Sequence, residues 1–152
     1  NGVENKKKAA SIFKKQLGCS LPQPGQASKT KEPVIKVLRM SSDQLFIIYK
    51  IKESKKVENI LSKMDGKFYI TEQSNAWAGL SVSGPNVISC LERVCPIDIS
   101  ENSRGVYCFA RTVMEHLGVI IIRCKENEFE LFSSSSSAKS FLNVIKTSAR
   151  NI

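Results

Sequence analysis

The apolar positions of the chain recur with two periods, and the breaks between them divide it. Ala9, Ile12, Phe13 and Leu17 share one face at helical spacing, and Gly18 follows as a stop. Leu21 to Pro33 (LPQPGQASKTKEP) then has three prolines, one glycine and no large apolar residue after Leu21, a composition that predicts a linker. The first 33 residues therefore read as a helical arm on a Pro-rich tether, and residues 34–152 as the main domain.

Within that domain, Val34–Arg39 and Leu45–Ile51 are rich in β-branched and aromatic residues and predict strands. Val57, Ile60, Leu61 and Met64 predict a helix, with Ser54 as its cap and Gly66 as its end. Phe68–Thr71 and Ala78–Ser83 predict two more strands; in the second, Leu80 and Val82 alternate with Ser81 and Ser83, so one face is buried. Val87, Ile88, Leu91 and Val94 predict a helix entered through Ser83-Gly84-Pro85 and stopped by Pro96. Val106–Val113, Val119–Cys124 and Glu128–Phe132 predict strands joined by short turns. A last helix carries Ala138, Phe141, Leu142 and Ile145 on one face. The order is β-β-α-β-β-α-β-β-β-α. It predicts an α+β fold, a mixed and mainly antiparallel sheet with helices on one side.

Composition narrows the class. With 152 residues, 41% apolar and 24% charged, the chain fits a soluble globular protein. Its longest aliphatic run, Val119 to Ile122, is far short of the ~20 residues of a membrane helix. Asn1-Gly2-Val3 is read as a processed end without the apolar core of a signal peptide. The five cysteines, Cys19, Cys90, Cys95, Cys108 and Cys124, include no C-x-x-C pair, and the single histidine, His116, is remote in sequence. Free thiols in a reducing cytoplasm are expected, not a zinc site.

The net charge of +9 lies wholly within residues 1–63, which carry 14 Lys and Arg against 5 Asp and Glu. Lys6-Lys7-Lys8 could serve nucleic acid. There is no aromatic interleaving and no recognition motif, so a solvated arm, or one docking an acidic partner surface, is the better reading.

Each candidate for chemistry has a plainer use. The Ser83-Gly84-Pro85 turn could cradle an anion, but Pro85 removes a donor and no phosphate-loop pattern is present. Glu115 and His116 are expected on a turn between strands, without an orienting partner. Cys90 and Cys95 lack a histidine pair other than His116. Asp98 is expected to cap its own loop, one or two of Ser133 to Ser137 to cap the last helix with the rest tolerated, and Trp77 to fill a core or anchor an interface. No catalytic, cofactor-binding or metal-ligating residue is assigned.

Several stretches, in order, carry a resemblance. Thr71-Glu72-Gln73-Ser74-Asn75-Ala76-Trp77-Ala78, Leu80-Ser81-Val82-Ser83-Gly84-Pro85, Cys95-Pro96-Ile97-Asp98-Ile99 and Ala110-Arg111-Thr112 resemble the gamma subunit of heterotetrameric sarcosine oxidase, over about Val34 to Ile145. Glu72 and Asn75 stand where that family often has Asp, Ser133 to Ser137 replace its Arg-Ser pair, and the basic arm is foreign to it.

The resemblance implies a fold like the folate-binding domain of the glycine-cleavage T-protein. It implies a non-catalytic subunit of a cytoplasmic complex that oxidises sarcosine to glycine and passes the one-carbon unit to tetrahydrofolate. FAD, FMN, NAD, tetrahydrofolate and zinc are then expected on the alpha, beta and delta subunits, its partners, and none on this chain. An isolated chain is expected to pair as a homodimer through the apolar patch a partner would cover. The alternative is a stand-alone folate or one-carbon-binding protein of the T-protein class, with Glu72 or Asp98 bonding the pterin.

Overall fold

Among the described residues, the strands pair antiparallel and build two sheets. The computed structural model describes residues 2–64, 66–100 and 105–152, with side chains from Lys8 onward. The chain divides into two compact units, residues 1–72 and 73–152.

The first unit contains α1 (Gly2–Leu17), β1 (Ala27–Lys29), β2 (Ile35–Arg39), β3 (Leu45–Tyr49) and α2 (Ser54–Ser62). The sheet order is β1-β2-β3, with Ile35 opposite Tyr49 and Leu38 opposite both Phe46 and Ala27. Phe13 and Leu17 of α1 are buried with Ile35, Val37, Val57 and Met64 in one apolar cluster. The residues read as a detached arm are therefore part of this core, because the amphipathic face of α1 has the first sheet to bury against.

The segment read as a linker is also structured. Its order comes from polar bonds that an apolar pattern cannot reveal. The buried Thr30 hydroxyl accepts the Ile35 N–H at 2.9 Å and donates to the Pro33 carbonyl, closing the β1–β2 turn. The Arg39 guanidinium donates to the carbonyls of Pro22 (3.0 Å), Ser41 (3.3 Å) and Ser42 (3.0 Å). One side chain thus ties the proline-rich segment to the β2–β3 turn. Gly18, at φ +69°, donates its N–H to Lys14 O and ends α1 as expected.

Two further expectations change here. Ser54 is the first residue of α2, not its cap. Phe68–Thr71 is not a strand: only Phe68 forms a bridge, while Tyr69 and Ile70 are exposed with no ladder partner. β-propensity needs a neighbouring strand to act on.

The second unit contains β4 (Trp77–Ser83), α3 (Val87–Glu92), β5 (Phe109–Met114), β6 (Leu117–Lys125), β7 (Glu128–Ser134) and α4 (Ala138–Arg150). Its sheet order is β4-β7-β6-β5. Leu131 and Phe129 of β7, Val119 and Ile121 of β6, and Met114 of β5 turn one face toward Val87 and Leu91 of α3 and Phe141 and Ile145 of α4, forming the core. The buried Ser148 hydroxyl donates to Cys90 O at 2.6 Å and joins the two helices. Central β6 is buried on both faces, from Val119 through Cys124, which is why it reads as an unbroken aliphatic run. The α+β class and the antiparallel pairing are as expected; the single sheet is corrected to two.

Candidate functional site

On the sheet face opposite α3 and α4, the register sets small residues between large ones. Trp77 opens edge strand β4 opposite Ser134 of β7. Gly118 of β6 lies next to the Val119–Ser133 pair and opposite Val113 of β5. Two strands along the same face, Arg111 of β5 stands opposite Ile120. Serine and glycine on the two central strands leave a trough between Trp77 at one edge and Arg111 at the other.

That trough is an open groove of about 370 Å³, lined also by Gln73, His116, Leu117 and Ser137. His116 reaches it from the two-residue turn between Met114 and Leu117, where Glu115 takes a left-handed φ of +55°. It is lined by one cation, Arg111, and by the imidazole of His116, both exposed, and no Asp or Glu lines it. Among the described residues neither of the two has an ion pair or a side-chain hydrogen bond. Gln73, Ser134 and Ser137 add neutral hydrogen-bonding groups. The arrangement suits recognition of an anionic group beside an aromatic wall, and holds no nucleophile–base pair.

The groove gathers residues that looked unrelated in the sequence. Trp77, His116 and three of the serines meet there, with Gln73 and Ala76 from one of the resemblance stretches and Arg111 and Thr112 from another. Of the one or two serines expected to cap the last helix, Ser137 stands at the N-cap position of α4 but makes no side-chain cap bond, while Ser133 and Ser134 end β7 and Ser133 Oγ donates to Gly118 O at 2.9 Å. Sequence reasoning passed over Arg111 and Gly118 as site residues. The signal was the alternation of β5 and β6, which becomes readable only once the strands are registered.

The other candidates stay apart from the groove. Gly84, at φ +139°, donates its N–H to Asn127 O at 3.2 Å and accepts the Val87 N–H at 3.2 Å. The Ser83-Gly84-Pro85 turn thus spends its donor on the fold, and Pro85 lies before the six-residue α3 instead of at its first position. Asp98 Oδ1 accepts the Ser100 N–H at 2.8 Å, the local loop cap expected of it. Glu72 acts on Tyr49: burial first, then the charges of Glu72 and Glu58, push the Tyr49 phenol above its ordinary value. Neither carboxylate lines the groove. All five cysteines are free thiols, with Cys90, Cys95 and Cys124 buried and Cys19 and Cys108 half-buried.

A buried cation lies at the far end of the helix-facing side. Arg123 is 3% exposed, sits 5.5 Å over the Phe129 ring, and donates to Ile99 O at 3.4 Å and Glu126 O at 2.9 Å. These bonds pin the segment after α3 to the β6–β7 turn, a structural use of charge. Among the described residues no three His, Cys, Asp or Glu side chains cluster as a metal site, and no helix is long and apolar enough to cross a membrane.

No family model matches the chain, and no curated protein matches it. Among solved structures, it is similar to a chain of the heterotetrameric sarcosine oxidase from Corynebacterium sp. U-96, solved in complex with pyrrole 2-carboxylate. The TM-score is 0.75 at 17% identity, covering 93% of this chain and 73% of that one. The chain shares the α+β fold of that sarcosine oxidase chain. At that identity the likeness is one of fold, and its coverage extends over both units.

Proposed function

We propose that the chain is a non-catalytic subunit of a heterotetrameric sarcosine oxidase, in the position of the gamma subunit. The observation that carries this reading is the likeness of fold over 93% of the chain. It agrees with the motif order read from the sequence, two stretches of which meet at one groove. In this role the chain is a cytoplasmic scaffold. The flavins, NAD, tetrahydrofolate and zinc belong to alpha, beta and delta partners, which supply the binding folds that cofactor chemistry needs.

The test is an affinity pull-down of the tagged full chain from extract of its own cells, followed by a visible absorbance spectrum and mass spectrometry. Co-purification of larger chains with bound flavin and sarcosine-dependent oxygen consumption is the expected result. A colourless chain recovered alone would overturn the reading.

A further inference from the structure

The groove on the second sheet has a shape and a charge that the scaffold reading leaves unused. It is open along one side, whereas small-molecule sites bury 70–90% or more of a drug-sized ligand. An open trough suits a segment of polypeptide better. Its span supports this: β4 and β5 are separated by three strand spacings, about 14 Å, the length of roughly four extended residues. One end has Trp77 as a wall; the other has Arg111 and His116, with Ile120 on the floor beside Arg111 and no acid among the lining residues.

The floor is kept clear by Gly118. A Cβ added there would meet nothing within 4 Å, and its φ is not in the left-handed region, so neither packing nor backbone demands glycine. Glycine inside a strand weakens it. What its absent side chain does at this position is keep the trough open.

We infer that this groove docks an extended acidic segment of a partner chain. A carboxylate is held by Arg111 and His116, and an aromatic or aliphatic neighbour packs against Trp77. The subunit reading enters only in saying whose segment it is; the chemistry of the segment follows from the groove. Arg111 can hold a carboxylate through paired N–H donors, and His116 adds a second donor.

The chain has one tryptophan and one histidine, and both line the groove, so each is an unambiguous reporter. The experiment titrates the full chain with an acetylated Glu-Phe-Glu-Phe peptide amide and reads Trp77 emission and the ring-proton resonances of His116. A saturable change in both is expected. The Gln-Phe-Gln-Phe peptide should bind at least about tenfold more weakly, the scale of removing one charge-assisted hydrogen bond. Arg111→Gln should lose affinity for the Glu peptide to a similar degree. Gly118→Leu, which fills the trough, should abolish binding while its far-ultraviolet spectrum stays that of the parent.

No response up to millimolar peptide overturns the inference, as do equal affinity for the Glu and Gln peptides and full binding by Gly118→Leu. Inorganic phosphate is titrated alone as well; if it reproduces the whole response, the groove holds free anions and the docking inference is also overturned. The titration uses the isolated chain, so its outcome is separate from that of the pull-down. Partners recovered without peptide binding would leave the subunit reading standing and remove only the groove.

Discussion

The two units reach similar architectures by different means. The second is held chiefly by apolar layers: eleven buried residues from three strands, two helices and the loop after α3 form one cluster. The first has six buried members in its cluster among the described residues, and its Pro-rich segment is held by polar side chains that bond to backbone, Thr30 within the β1–β2 turn and Arg39 between that segment and the β2–β3 turn. Charge follows the same division. Residues 1–72 carry 15 Lys and Arg against 7 Asp and Glu, and residues 73–152 carry 8 against 7. The difference shows that a short, basic segment of low apolar content can be ordered if its backbone groups are satisfied locally.

The sharpest test of this division removes one fully buried ring from each unit. Phe13→Ala and Phe141→Ala should each cost about 3–5 kcal/mol, the loss of a buried aromatic plus the cavity it leaves. By amide hydrogen exchange, the first should lower protection within residues 2–64 and the second within residues 73–152. Loss of protection across the whole chain from either variant would show one cooperative body and dissolve the comparison.

Arg39→Ala tests the polar half. Three hydrogen bonds to carbonyls disappear, at a cost of roughly 1–3 kcal/mol for bonds from a charged group that is partly solvated. Limited proteolysis should open the chain between Ser20 and Thr30, while Arg39→Lys restores little because an ammonium cannot fork to three separated carbonyls. Ser148→Ala is the counterpart in the second unit. It leaves the Cys90 carbonyl without its hydroxyl donor, at about 1–2 kcal/mol. The melting temperature should fall, and the exposure of Ser20–Thr30 to protease should not change.

This asymmetry also decided what could be read from the sequence. The second unit was legible because its strands alternate or run apolar: β6, β7 and α4 were placed within a few residues, and the resemblance anticipated the solved fold it matches. The first was half legible. β2, β3 and α2 follow periodicity, but β1 is Ala-Ser-Lys, three residues with no apolar signal, ordered by pairing with β2 and by Thr30. Phe13 showed helical spacing but not what it packs on. Phe68–Thr71 had strand composition, but only Phe68 found a bridge partner. The groove was not legible at all, since its four walls come from four strands and depend on register: a slip of one residue in β6 would turn Gly118 away and set a bulky side chain in the trough.

A smaller effect in the opposite direction comes from the β5–β6 turn. Glu115 holds φ +55°, a region that costs a side-chain-bearing residue roughly 1–2 kcal/mol. Glycine removes that cost and returns about 0.5–1 kcal/mol in unfolded-chain freedom. Glu115→Gly should therefore stabilise the second unit by less than about 1 kcal/mol, read as a raised denaturation midpoint with unchanged slope.

The last difference between the units is one of pH. Tyr49 lies in the first unit, its phenol raised above the ordinary 10.0 by burial and by Glu72 and Glu58. The folded chain therefore keeps this proton where the unfolded chain has begun to release it. The unfolded state binds fewer protons in that window, so stability falls as pH rises. The contribution is complete below pH 10.0 and declines from there up to the folded value. Lys125 of the second unit behaves with the same sign but from a different cause: its hydrogen bond to Glu128 at 2.6 Å, then that carboxylate's charge, raise the ammonium above 10.5 on an exposed turn where solvent and salt screen the pair. Salt separates the two. Tyr49→Phe should flatten the alkaline decline of the first unit at any ionic strength, because burial is its main cause. The weak alkaline dependence from Lys125 should fade in concentrated salt. Equal sensitivity of both to salt, followed by hydrogen exchange in each unit, would show that charge and not burial governs Tyr49.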